Sequence, residues 1–431
     1  MYQTLYHVPD QIAGMPVFGF GILLVLWGLV SFGILAWLVR RQGFNADTLS
    51  YVPILAVVAA LIAWLLPVLC KEKGLPIRSY GVMMLVAVVS ATGLAAWRAR
   101  RRGQDPEMVF SLAFWLFLPG ILGARAFYVI QKWSEQYWPV YDDHGIGALL
   151  GAVVNVAEGG LVVYGGLLGG VVGLMLFVRR YRLPLLATCD LVAPAMMLGL
   201  AIGRIGCLLN GCCYGGACDH AWAVTFPQGS PPYISQVTRG QMFGFTVGSN
   251  PEAEPVVTRV LPDSPAAKVG LKAGDRLQRV GPYDVQSAGH VHIAMEKLFY
   301  HKQPIAIRVA GRPSFVLPVV AVRPRSQPVH PTQAYSTINA MLLCLLLLAY
   351  DPFSRRDGEL FALMITVYPI GRFLLEIIRT DEGDFFGTGL SISQNVSLLL
   401  FVCAIGLWFY VMRQPVGKVF AREPEANAAG V

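Results

Sequence analysis

Apolar runs about as long as a bilayer is thick recur along this 431-residue chain, at roughly 18–39, 52–70, 79–97, 108–130, 161–178, 185–207, 336–350, 359–378 and 391–412. About 20 apolar residues suffice for a helix to cross the hydrocarbon. Only helices and closed barrels cross it with every backbone polar group bonded. These nine runs predict a polytopic α-helical membrane protein. The run at 336–350 is short and is expected to begin earlier or to tilt. A chain 55% hydrophobic and only 14% charged lies outside the soluble range.

Basic residues follow every second run: Arg40 and Arg41; Arg98, Arg100, Arg101 and Arg102; Arg179, Arg180 and Arg182; Arg355 and Arg356; then Arg413 and Lys418. The positive-inside rule places the N-terminus outside and the C-terminus in the cytoplasm. Lys71, Lys73 and Arg78 alone dissent. The net charge of +8 reflects this arrangement, and no nucleic-acid partner is expected. Met1–Gly14 lacks a basic stretch followed by an apolar core, so no cleavable signal is expected.

The sixth run ends in G-R-I-G-C-L-L-N-G-C-C-Y-G-G, residues 203–216. An arginine inside the hydrocarbon costs about 2.5–3.5 kcal/mol on the lenient insertion scale and usually faces protein or a water-filled cavity. Arg204 is thus either a snorkelling side chain or the ligand of something anionic. Cys207, Cys212, Cys213 and Cys218 crowd the same motif. Their spacing fits no standard zinc pair, so small-residue packing is expected first, a disulfide second and a metal a distant third, and no metal site is assigned.

Other spans repeat the theme. The fourth carries L-P-G-I-L-G-A-R-A-F-Y, with Arg125 among small residues that let helices approach closely. Residues 132–157, rich in Trp, Tyr and Gly, read as an interfacial loop. The fifth opens with doubled glycines around Tyr164, where backbone approaches a helix or a ligand. The seventh is entered through P-V-H-P-T-Q-A-Y, which sets His330 at the membrane edge near Gln333 and Tyr335. In the eighth, Arg372, Glu376 and Arg379 share one helix face; Glu376 and Arg379 read as an ion ladder, and Arg372 as the ligand-facing member. Spans 2 and 3, about 51–97, hold no ionisable residue in their interiors and read as added scaffold.

Residues 233–325 break the apolar pattern with alternation, charge and turns. The stretch V-V-T-R-V-L-P-D-S-P-A-A-K-V-G-L-K-A-G-D-R-L resembles a PDZ domain, a small α+β unit placed here between helices 6 and 7. The resemblance implies a carboxylate-capping loop at Phe243, Gly244 and Phe245, a groove helix at Val291–Tyr300, and a peptide partner that adds as a strand. Alternatively the unit is only a stabilising cap.

Five ordered pieces resemble the bacterial prolipoprotein diacylglyceryl transferases: G-A-R-A-F-Y-V, Y-G-G-L-L-G, G-R-I-G-C-L-L-N-G-C-C-Y-G, H-P-T-Q-A-Y and G-R-F-L-L-E-I-I-R-T. That family implies a multi-pass inner-membrane enzyme that needs no cofactor. It moves diacylglyceryl from phosphatidylglycerol to the lipobox cysteine of a prolipoprotein peptide. By this resemblance Arg204 and Arg372 bind and stabilise the phosphate, Arg125 assists, and Asn210 and Gly215 line the headgroup site. Guanidinium forks suit phosphate independently of any family. The chain departs from the family at Tyr164, where a histidine is usual, at Cys207, usually Asn, and at Cys212, usually Glu. A tyrosine of ordinary pKa about 10 is a poor base for a thiol of about 8.5, which leaves His330 and Glu376 as further candidates.

Domain boundaries are expected at 1–232 and 326–413 for the membrane part, 233–325 for the insert and 414–431 for a cytoplasmic tail. The rival reading is a non-catalytic lipid- or lipoprotein-binding scaffold, motivated by Tyr164 and the cysteines. A metalloprotease fails because His292–Glu296 lacks the second histidine of H-E-x-x-H. A transporter fails because no inverted repeat is visible.

Overall fold

A computed structural model describes residues 3–420 apart from 13, 44, 71–73, 156–158, 249, 251, 302, 318–323 and 380–388. Lys71, Lys73 and the tail beyond Phe420 lie outside the described residues. All nine apolar runs are helical. Short strands β1 (Thr4–Val8), β2 (Gln11–Ile12) and β3 (Met15–Pro16) precede α1 (Ile22–Gln42). The second run is interrupted: α2 (Ala46–Ala60) passes through a π-helical stretch, Leu61–Leu65, into α3 (Leu66–Leu69). Pro53 and Pro67, which donate no backbone hydrogen bond, sit within it. Strand β4 (Leu75–Arg78) pairs antiparallel with β1 and leads into α4 (Ser79–Arg101).

Helix α5 (Glu107–Gln131) packs along α7 (Val163–Tyr181) with backbones in contact. Between them, the loop read as interfacial folds as α6 (Trp138–Val154), kinked at Gly145, whose φ is 75°. A Cβ on Gly165, Gly169 or Gly173 would come within 2.4, 2.1 and 1.9 Å of the carbonyl oxygens of Gly123, Pro119 and Trp115. The doubled glycines of α7 therefore serve helix contact. Helix α8 (Leu185–Asn210) is the most buried of the spans.

The insert has its own core. It comprises α9 (Pro231–Thr238), β5 (Phe245–Val247), β6 (Val257–Val260), α10 (Pro265–Lys268), β7 (Leu277–Val280), β8 (Tyr283–Asp284), α11 (Ala288–Tyr300), β9 (Ile305–Val309) and β10 (Phe315–Leu317). Strands β10-β9-β7-β8 form one sheet and β5-β6 a second pair. Phe243, Phe245, Leu277, Val291, Met295 and Ile305 close over one another. Entry and exit meet: Val224 bridges Val329, Pro227 bridges Arg325, and Gln327 N–H donates to Gln236 Oε1 at 2.7 Å. Adjacent ends are what lets a folded unit interrupt another.

Helix α12 (Thr332–Tyr350) does begin before 336 and packs on α8, followed by α13 (Glu359–Ile378) and α14 (Ile392–Arg413). Eight helices reach spanning length among the described residues, with the interrupted second run as the exception.

The α4 helix, read as added scaffold, packs along α8, where Gly206 lies against Tyr80 and Met83. One expectation needs correction. Arg98 and Arg102, read as loop charges, are 3% and 4% exposed. Arg98 pairs with Asp351 at 3.2 Å and donates to the carbonyls of Asp190 and Leu191; Arg102 and Lys418 also pair with Asp351. The Asp190 carboxylate accepts the N–H groups of Gly358 and Phe361, both at 2.8 Å, at the start of α13. These buried charges lock the basic ends of α4, α8, α12 and α13 together. Burial pushes the Asp351 carboxyl up, but the Arg102, Arg98 and Lys418 charges outweigh it and hold it below the usual carboxylate range.

Candidate active site

Arg204, six residues before the end of α8, and Arg372 of α13 line one crevice of about 10 Å³, room for a single water, with Leu200, Ser336, Asn339, Tyr368 and Leu375. The walls come from α8, α12 and α13, so the site lies inside the bundle. Gly371 allows the approach: a Cβ there would meet Asn339 Nδ2 at 2.5 Å.

Arg372 is held on two sides. Its Nη1 lies 2.6 Å from Glu376 Oε2, and its Nη2 donates to Ser393 Oγ at 2.7 Å. Glu376 is 5% exposed and also pairs with Arg379 at 3.5 Å. The ladder read from the i, i+4, i+7 spacing is therefore present, and it includes Arg372. A carboxylate shared by two guanidinium groups orients them and is poorly placed to accept a proton. Tyr164, in the first turn of α7, has its hydroxyl 3.5 Å from the same Ser393 Oγ. Ser393 thus connects two expected site residues that share no sequence motif.

Arg125 is placed elsewhere, and this corrects its expected role in phosphate binding. Its Nε donates to Val153 O (2.8 Å), Nη1 to Gly159 O and Gly160 O (3.0 and 3.1 Å), and Nη2 to Ala152 O and Asn155 O (both 2.8 Å). A guanidinium has five N–H donors, and five bonds run to carbonyls at the end of α6 (Ala152, Val153) and beyond it (Asn155, Gly159, Gly160). Arg125 fastens the loop between α6 and α7.

Gly215 and His330 form a backbone seam. Gly215 N–H donates to His330 O at 2.9 Å, His330 N–H to Gly216 O at 3.0 Å, and Gly216 N–H to Ile378 O at 2.9 Å. A Cβ on Gly215 would meet His330 Cβ at 2.7 Å, so close approach demands glycine there. The seam ties the central motif to the end of α13. The His330 ring lies 3.3 Å by Nδ1 from Tyr335 Oη, beside His220, which stacks on Trp222. Asn210, the last residue of α8, accepts from Gln3 Nε2 through its carbonyl at 3.1 Å. It lines a second, wide cavity of about 1360 Å³ that runs from Arg78 to Arg239, His292 and Tyr300 of the insert.

Cys207, Cys212 and Cys213 form a thiol cluster; Cys218 is buried apart from it. Gln333 Nε2 and Thr332 Oγ1 donate to the carbonyls of Cys212 and Cys213, each at 2.6 Å. Thiol hydrogen bonds from Cys207 and Cys212, then the charges of Arg204 and Arg379, hold Cys213 below the usual thiol range.

In the insert, Phe243 and Phe245 are core residues. The N–H groups of Phe243, Gly244 and Phe245 donate to Gly240 O (2.9 Å), Gln241 O (3.1 Å) and Gly240 O (3.2 Å), and Val247 N–H reaches Arg239 O at 3.4 Å. A peptide carboxylate at this loop must displace those bonds.

Ser393, Ser336, Asn339 and Tyr368 were not singled out from sequence. Small polar residues inside apolar helices carry no periodic signal; only their facing Arg204 or Arg372 reveals them.

Fold and site define a multi-pass membrane protein in which an arginine of α8 and an arginine of α13 line one crevice between helices. The chain belongs to the prolipoprotein diacylglyceryl transferase family, whose model matches residues 67–410, a range that begins before helix α4. It is 33% identical to the phosphatidylglycerol–prolipoprotein diacylglyceryl transferase of Rhodopirellula baltica, over 94% of this chain and 88% of that protein. It is 26% identical to the transferase of that name from Mycobacteroides abscessus, over 80% and 76%. With phosphatidylglycerol–prolipoprotein diacylglyceryl transferase 2 of Clostridium perfringens the identity is 24%, over 79% and 93%.

Proposed function

We propose that this chain transfers the diacylglyceryl group of phosphatidylglycerol to the thiol of a prolipoprotein lipobox cysteine. The sulfur attacks the glyceryl carbon, the carbon–oxygen bond to phosphate breaks, and glycerol phosphate leaves with the bonding pair. The thiol proton is lost as the thioether forms. The observation that carries this reading is the placement of Arg204 and Arg372 in one crevice. Charge gathers on the leaving phosphate, and fixed donors in a low-dielectric site stabilise it far better than water-exposed ones. Glu376 and Ser393 hold Arg372 in place, so little reorganisation accompanies the reaction.

In this reading the protein resides in the bacterial inner membrane with its N-terminus and insert outside. The wide cavity between Asn210 and the insert is where precursor peptide enters. The insert is a PDZ-like peptide-binding unit whose loop at Phe243–Phe245 opens by releasing Gly240 and Gln241.

The test supplies purified protein with phosphatidylglycerol and a lipobox peptide, with Arg204→Ala as control, and follows the thioether by mass spectrometry. Product from the native chain and none from the variant is expected. No product from folded, lipid-bound protein would show a scaffold instead.

A further inference from the structure

Three thiols stand together where α8 ends. Cys207 lies one helical turn beyond Arg204 and so on the same face. Gly211, with φ of 84°, turns the chain after the helix, and Cys212 and Cys213 fold back on Cys207. The three Sγ atoms lie within 4.8 Å of one another, and all three residues are partly open to solvent. Cys213 has φ of 58°, a left-handed conformation costly to a residue with a Cβ. Thr332 and Gln333 hold that turn through the carbonyls beneath the thiols.

Packing does not account for polarisable side chains left half-open. A disulfide uses two sulfurs and strands the third. A tetrahedral zinc–thiolate site, with Zn–S about 2.3 Å, sets its sulfurs about 3.8 Å apart. The present spacing reaches that by side-chain rotation of about 1 Å per contact. Three thiolates and a divalent cation sum to one negative charge, and Arg204 stands one helical turn from Cys207 on the same helix.

We propose that Cys207, Cys212 and Cys213 bind a zinc-class d10 cation as three thiolates, leaving the fourth tetrahedral position open to a substrate thiol. Only the identity of that fourth ligand rests on the transferase reading. A thiol that binds such a cation gives its proton to water and remains a thiolate. The site then needs no side-chain base, which suits a chain with Tyr164 in the first turn of α7 and Glu376 shared between two arginines. The thiolate would form one helical turn from the arginine that faces the phosphate.

The test uses full-length protein in detergent, reduced, stripped with a chelator and titrated with Co²⁺. A single equivalent with thiolate-to-cobalt charge-transfer absorption is expected. Cys207→Ser and Cys213→Ser should lose it, while Cys403→Ser, on α14, should keep it. Adding a lipobox cysteine peptide should change the cobalt d–d bands, and its serine counterpart should not. Absence of the cobalt absorption overturns the metal site. So does a disulfide between two of these cysteines in protein thiol-trapped before extraction. A cobalt spectrum indifferent to the cysteine peptide overturns the fourth-ligand assignment. Arg372→Ala should abolish transfer yet keep the cobalt spectrum. Native protein that binds cobalt but makes no thioether would sink the transferase reading and leave the metal site standing.

Discussion

Tyr164 and Arg372 meet at one hydroxyl: Ser393 Oγ lies 3.5 Å from the tyrosine oxygen and 2.7 Å from Arg372 Nη2. A hydrogen bond to a charged group contributes about 1.5–3 kcal/mol, so Ser393→Ala should slow transfer roughly 10- to 100-fold. Tyr164→Phe, which removes the longer and weaker contact, should slow it only a few-fold. Turnover with a lipobox peptide measures both. Equal losses would make Tyr164 a direct participant.

Arg204 and Arg372 should differ from ordinary cations. A lysine offers a point charge where a guanidinium offers a fork. Arg204→Lys and Arg372→Lys should therefore lose about 100- to 1,000-fold in rate, the usual loss for a transition-state donor. Binding of phosphatidylglycerol should weaken far less. Retention of native rates by either lysine variant would remove the bidentate argument.

Arg125→Ala should behave as a structural lesion. It strips five donors from carbonyls between Ala152 and Gly160. The expected cost is about 1–3 kcal/mol, read as a lower Tm and faster proteolysis of the loop after α6. Affinity for phosphatidylglycerol should stay unchanged.

Asp351 gives a pH dependence of known sign. Its folded pKa is depressed, first raised by burial and then lowered further by Arg102, Arg98 and Lys418. Its contribution is therefore fully present above the unfolded value, about 3.9, and is lost as pH falls through the folded one. The Tm gap between native protein and Asp351→Asn should be constant near neutrality and close below about pH 4. A gap that widens in acid contradicts the assignment.

Replacing residues 233–325 by a short linker should spare phosphatidylglycerol binding and impair handling of protein precursors. Unchanged processing of every precursor would show the insert to be a cap.

The membrane helices were legible because length and apolarity alone decide whether a helix can span. Arg204 and Arg372 were legible for a related reason, since an arginine in that setting must be compensated. The nature of the compensation was not. Arg125 looks the same in sequence whether its partner is a phosphate or a set of carbonyls, and Arg98 looks like a loop charge until Asp351 is brought beside it from far along the chain. Ser393 left no trace at all, because one serine costs an apolar helix almost nothing.

The seam at Gln236 and Gln327 bears on how the polypeptide is made. Helix α12 packs on α8, yet the whole insert is synthesised between them. An unstructured connector of that length would let α12 wander before docking. The folded insert holds its two ends together, which removes much of the loop-closure entropy that α12 would otherwise lose on docking. A lesion in the insert's core should therefore surface in the membrane bundle as well, as slower or incorrect docking of α12 on α8.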